Sequence, residues 1–140
     1  MIIAVDFDGT IVKHRYPDIG EEIPFAIETL KLINKELKHT LILWTVREGK
    51  LLDSAVEYCA NKGLTFYAVN QNHPDAPFSD SPRKLMADLF IDDRNFGGLP
   101  DWGFIYKILK ERPNECFSTD IFNGLNTQQD LPRKKRGFFR

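Results

Sequence analysis

The chain has 140 residues, 42% hydrophobic and 28% charged, with a formal net charge of −1. That length suits a single domain, and the near-neutral balance gives the whole molecule no strong pull toward nucleic acid or an anionic membrane. Two cysteines, at 59 and 116, are too few and too far apart for a disulfide scaffold or a zinc site, so reduced thiols in a cytoplasmic protein are expected.

Residues 2–5 (IIAV) form a short continuous apolar run that suits a strand buried on both faces of a parallel sheet. The run has no basic leader and stops at an acid, so it is not read as a signal core, and no apolar stretch reaches the roughly 20 residues of a membrane span. It leads directly into Asp6 and Asp8. In extended chain, residues i and i+2 project to the same side, so both carboxylates stand at the strand's carboxyl end, where open α/β sheets hold ligands. Carboxylates that close repel, which calls for a cation or a shared proton. Gly9 permits an abrupt turn there. The plainer alternative for Asp-x-Asp-Gly is a polar turn.

A polar loop over residues 12–22 follows. Ile23, Ile27, Leu30, Ile33 and Leu37 then recur at helical spacing, with Pro24 at an early helical position. Residues 40–45 predict a second buried strand that ends at the hydroxyl of Thr45. A second helix is expected over residues 50–62, with Leu52, Ala55, Val56 and Cys59 inward and Gly63 as its stop. Residues 65–69 read as a third strand and 70–82 as a loop. A short amphipathic segment (83–87) precedes a fourth strand (88–91) that ends in Asp92-Asp93. Residues 102–110 read as a helix, a fifth strand is weakly indicated near Cys116 and Phe117, and the end of the chain reads as flexible.

This alternation argues for an α/β fold, a Rossmann-like three-layer sandwich with a mostly parallel central sheet. Residues 1–125 form one domain and 126–140 a basic tail. Right-handed crossovers place every strand's carboxyl end on one edge, which gathers Asp6, Asp8, Thr45 and Asp92, with Lys84 within reach from the segment before the fourth strand.

DFDGT at 6–10, a strand ending in Thr45, then Lys84, then Asp92-Asp93 after an apolar strand: this series resembles the four motifs of the haloacid dehalogenase superfamily, in order, over roughly residues 1–101. The resemblance implies that Asp6 is the nucleophile that becomes an aspartyl-phosphate. Asp8 matches the general acid and base, and Thr45 the hydroxyl that binds the transferring phosphoryl group. Lys84 matches the basic residue between nucleophile and phosphate. Asp92 and Asp93 match carboxylates that hold Mg²⁺ together with Asp6 and the backbone carbonyl of Asp8. The physics agrees with such roles. Two like charges about 4 Å apart at an effective dielectric near 20 repel by about 4 kcal/mol, so a carboxylate approaching a phosphate needs a cation beside it. Oxygen donors with no histidine or cysteine cluster suit magnesium.

Each residue also has a structural alternative. Thr45 could be a β-branched strand end, Lys84 a solvated lysine with Arg83 as its rival, and Asp92-Asp93 a cap or turn. Asp80 and Asp88 are assigned to structure.

The superfamily usually carries a cap domain, yet both insertion points here are short loops, too small for an independent domain of roughly 40 residues. The chain therefore resembles the capless group, whose members keep an open cleft, accept larger substrates or borrow a neighbouring subunit, so a homo-oligomer is compatible. The segments HRYPDIG and FGGLPDWG resemble a small bacterial set of such members. Candidate substrate contacts are Arg47, whose fork suits phosphate or carboxylate, with His14 and Asn70, and His14 reads equally well as a solvated loop residue. The expectation is a small phosphorylated substrate and no membrane. The basic RKKRGFF tail reads first as solvated chain and second as an arm for nucleic-acid ends, and a non-catalytic module retaining the fold is the remaining alternative.

Overall fold

Four short apolar runs build the sheet. In the computed structural model, which describes residues 1–77 and 84–114, they are β1 (Ile2–Val5), β2 (Thr40–Leu43), β3 (Ala68–Val69) and β4 (Leu89–Ile91). Their order is β3-β2-β1-β4, and every described pairing in the sheet is parallel. The helices are α1 (Ala26–Lys35), α2 (Gly49–Asn61) and α3 (Trp102–Glu111). The α/β, Rossmann-like expectation therefore holds.

Alternation along the strands separates two faces. Ile3, Val5, Leu41 and Leu43 pack with Leu30 and Ile33 of α1, Ala55 and Cys59 of α2, and Trp102, Ile105 and Leu109 of α3. Ala4, Ile42 and Ala68, at the alternate positions, pack with Leu85 on the other face. The three described helices thus share one face. For α1 and α2 this follows from right-handed crossovers that step from β1 to β2 to β3 in one direction, while α3, which follows β4, packs beside α1. Among the described residues, the cover of the second face is Leu85, with Trp44, Ala87 and Phe90 packed against it.

Local chemistry sets the boundaries. Asp101 caps α3 by accepting the Phe104 N–H at 2.9 Å. Gly63, at φ +81°, carries the chain out of α2. Pro24 is not helical: Ile23 to Ala26 close a turn by a 3.0 Å backbone bond, Phe25 adopts φ +66°, and α1 begins only at Ala26. The third strand is shorter than expected because just Ala68 and Val69 complete the ladder to β2. Asp88 lies before β4 and accepts the Ile2 N–H at 2.7 Å, a structural role as expected. Residues 84–87 are not helical. Asp80, Arg83, the fifth strand and the basic tail lie outside the described residues.

The loop after β1 is tied down. Lys13 N–H donates to Glu21 O and Ile23 N–H to Ile11 O, each at 2.8 Å, so the chain doubles back, with Ile11 and Val12 fully buried. No described helix is long and apolar enough to cross a membrane.

Candidate active site

The parallel ladders continue one residue past the strands. Asp6 N–H donates to Ile91 O, Trp44 N–H to Val5 O and Asn70 N–H to Leu43 O, at 2.8 to 3.0 Å. This common edge lines up the strand-end residues, and a cavity of about 320 Å³ opens there. Asp6, Asp8, Trp44, Thr45, Val46, Asp92 and Arg94 line it.

Asp6, Asp92 and Asp93 each place a carboxylate oxygen within 4.8 Å of the other two. Thr10, fully buried, organises this corner. Its hydroxyl donates to Asp6 Oδ2 at 3.1 Å and accepts the Asp93 N–H at 3.0 Å, while its carbonyl accepts Trp102 Nε1–H at 3.2 Å. Gly9, at φ +87°, is a close approach: a Cβ there would collide with His14 Nε2 and Asp93 Oδ2. Burial, reinforced by the negative charges of Asp92 and Asp93, pushes the Asp6 carboxyl up from 3.8 to about 6, against the opposing hydrogen bonds from the Phe7 backbone and Thr10.

Asp93 has one oxygen, Oδ2, 2.8 Å from His14 Nε2, and its other, Oδ1, is buried without a hydrogen-bond partner among the described residues. An orphaned anionic oxygen beside two further carboxylates is short of positive charge. The all-oxygen donor set fits a small hard cation such as Mg²⁺, and Asp6, Asp92 and Asp93 are the side chains that could hold it. The Asp8 carboxylate is not part of this cluster, and the contribution expected of that residue is its backbone carbonyl.

Asp8, 8% exposed, belongs to a different arrangement. Arg47 Nε–H donates to its Oδ2 and an Nη2–H to its Oδ1, both at 2.7 Å. Two further Arg47 N–H groups reach Pro17 O at 3.0 Å and Asp18 O at 2.8 Å, and the guanidinium carbon sits 5.2 and 5.3 Å from the Phe7 and Tyr16 ring centroids. Arg47 is fully buried. The expectation that it contacts substrate is therefore corrected, since its fork is spent on Asp8 and the loop. Asn70 is corrected for a similar reason. Its side-chain oxygen accepts the Thr45 N–H at 2.8 Å and its amide donates to Arg47 O at 3.4 Å, so it props the 45–47 turn. Thr45 does line the cavity, and its Oγ1 accepts the Arg47 N–H at 3.2 Å.

His14 is paired with Asp93 and does not line the cavity. Lys84 does not line it either: it is exposed, with its ammonium 5.5 Å from the Phe90 ring centroid. The sequence reasoning passed over Thr10, whose only signal was its place in DFDGT, and Arg94, which directly follows Asp92-Asp93.

A solved structure described as that of a conserved protein coded by a locus from Bacteroides thetaiotaomicron is 67% identical, at a TM-score of 0.74, over 79% of this chain and 90% of that one. The chain belongs to that protein's family. No protein-family model and no curated protein matches it. Identity of this order extends the likeness from the α/β fold to most side chains of the shared region.

Proposed function

We infer that the chain is a Mg²⁺-dependent phosphate monoester hydrolase of the haloacid dehalogenase superfamily, acting through a covalent aspartyl-phosphate on Asp6. One observation carries most of the support: three carboxylates converge at the carboxyl edge of a parallel sheet, and one of their buried oxygens has no partner among the described residues. The cavity, about 320 Å³, lies at the small end of ligand-pocket sizes, which favours a small phosphorylated molecule.

In this reading an ionised Asp6 oxygen forms a bond to phosphorus as the ester oxygen leaves. For this step Asp8 must carry a proton, on a lone pair that Arg47 leaves free; it passes that proton to the leaving oxygen, and the carboxylate so formed takes one from the water that hydrolyses the acyl phosphate, which restores the acid. Each Asp8 oxygen keeps a lone pair beyond its bond to Arg47, so the guanidinium orients the carboxylate without consuming it. The Thr45 hydroxyl accepts from Arg47 and keeps its own hydrogen for a phosphoryl oxygen. A divalent cation held by Asp6, Asp92 and Asp93 would supply the positive charge that lets two anions meet.

The test is a phosphatase screen in Mg²⁺ over phosphorylated sugars, nucleotides and small acids, comparing wild type with Asp6→Asn. Phosphate release by wild type alone is expected, and equal release by both proteins rejects the reading.

A further inference from the structure

The cavity is lined by three carboxylates, Asp6, Asp8 and Asp92, and a phosphate monoester would add further negative charge. Of the described basic side chains near this edge, Arg47 is buried and held by Asp8 and two loop carbonyls, His14 is held by Asp93, and Lys84 lies against Phe90 outside the cavity. Arg94 remains. Among the described residues it is the one cationic side chain in the lining, it is exposed, and it makes no hydrogen bond or ion pair with any of them. Its backbone is fixed, because its N–H donates to Asp92 Oδ1 at 2.8 Å. The side chain therefore starts from a defined point on the rim while its guanidinium has no partner among the described residues. An exposed guanidinium is hydrated in the free protein, and its planar fork matches two oxygens of a phosphoryl group that enters beside it.

We propose that Arg94 binds the peripheral oxygens of the phosphoryl group, so that the cationic task that the family resemblance gives to Lys84 falls to a residue on the other side of β4. This rests on the phosphatase reading for its substrate but concerns anion binding, which can be measured without turnover.

The experiment uses the full chain with Mg²⁺ and two readouts: calorimetric binding of inorganic phosphate, and KM and kcat for phenyl phosphate. The proteins are wild type, Arg94→Ala, Arg94→Lys and Lys84→Ala, with Lys110→Ala on α3 as the charge control. Arg94→Ala should weaken phosphate binding and raise KM by about tenfold or more, the usual worth of a charged hydrogen bond. Arg94→Lys should recover part of the loss, because the charge returns without the fork, and Lys110→Ala should match wild type. Arg94-dependent phosphate binding without turnover would support the inference and count against the hydrolase reading. Wild-type binding by Arg94→Ala, a larger loss from Lys84→Ala, or no phosphate binding by wild type at millimolar concentration would each overturn the inference. In the first two cases, Asp6-dependent turnover would leave the hydrolase reading standing.

Discussion

Asp6 and Asp8 leave the same strand two residues apart, and the protein treats them in opposite ways. Asp8 is nearly buried and has a guanidinium on both oxygens, with two aromatic rings against that guanidinium and two loop carbonyls accepting from it as well. Asp6 is placed with two like charges and receives only hydrogen bonds from a hydroxyl and a backbone N–H. Phe7, between them, is wholly buried in the core and sets the two side chains on one edge. The contrast separates two uses of charge. One carboxylate is neutralised and helps to hold the loop in place. The other is left short of positive charge, which is costly for folding and useful for binding a cation.

The largest expected effect is at Asp6. On the proposed mechanism, replacing it with Asn removes the attacking oxygen and should lower turnover by at least about 10³-fold, as loss of a covalent nucleophile does. EDTA should abolish the activity of wild type, and added Mg²⁺ should restore it. Activity that ignores both treatments would dissolve the distinction between the two aspartates. Asp8→Asn should slow turnover by about 10²–10⁴-fold, the range of general acid–base catalysis. An unchanged rate would leave Asp8 with a purely structural role.

The structural half of the comparison is sharpened by Arg47→Met. That change leaves the Asp8 carboxylate buried without its partner, and a broken buried pair costs about 3–5 kcal/mol. Urea unfolding would measure it. The double variant Asp8→Asn/Arg47→Met should regain part of the loss, because no isolated charge remains. A single-variant loss under about 1 kcal/mol would mean that the loop is held by its backbone bonds instead.

How legible was this arrangement? Continuous apolar runs and helical spacing are local signals, and they placed β1, β2, β4, α2 and α3 well. DFDGT and Asp92-Asp93 were legible because each ends such a run, so strand pairing alone brings Asp6 and Asp92 to adjacent strand ends. Arg47 was misread because its partners arrive from a distance. The doubling back of residues 11–23 brings the carbonyls of Pro17 and Asp18 to it, and nothing in the spacing of those residues foretells that path. Asn70 was misread because a strand-end amide serves a turn as readily as a ligand. Lys84 and Arg94 stand eight and two residues from Asp92, and which one meets the cavity is decided by how the chain crosses the second face and rounds β4. Side-chain partnership at a loop is a tertiary outcome, while strand and helix position is largely a pattern in the chain.

The smallest expected effect tests the charge deficit at Asp6 without any substrate. In metal-free protein its carboxyl is pushed up to about 6, while in the unfolded chain it sits near 3.8. The folded state therefore holds this proton more tightly than the unfolded state. Between those two values the folded form binds more protons, so its contribution to stability is favourable at the acid end and is lost as pH rises through about 6. Asp6→Asn carries no such proton and should lack this slope. In EDTA at pH 7 it should exceed wild type by about 1–2 kcal/mol, allowing for solvent screening of a partly exposed group. Adding Mg²⁺ should close the gap by stabilising wild type alone, because a cation restores the positive charge that the neutral amide no longer needs. If wild type and Asp6→Asn follow the same stability curve from pH 4 to 7 in EDTA, neither burial nor the charges of Asp92 and Asp93 weigh on the Asp6 carboxylate, and the charge deficit that a cation would relieve is gone.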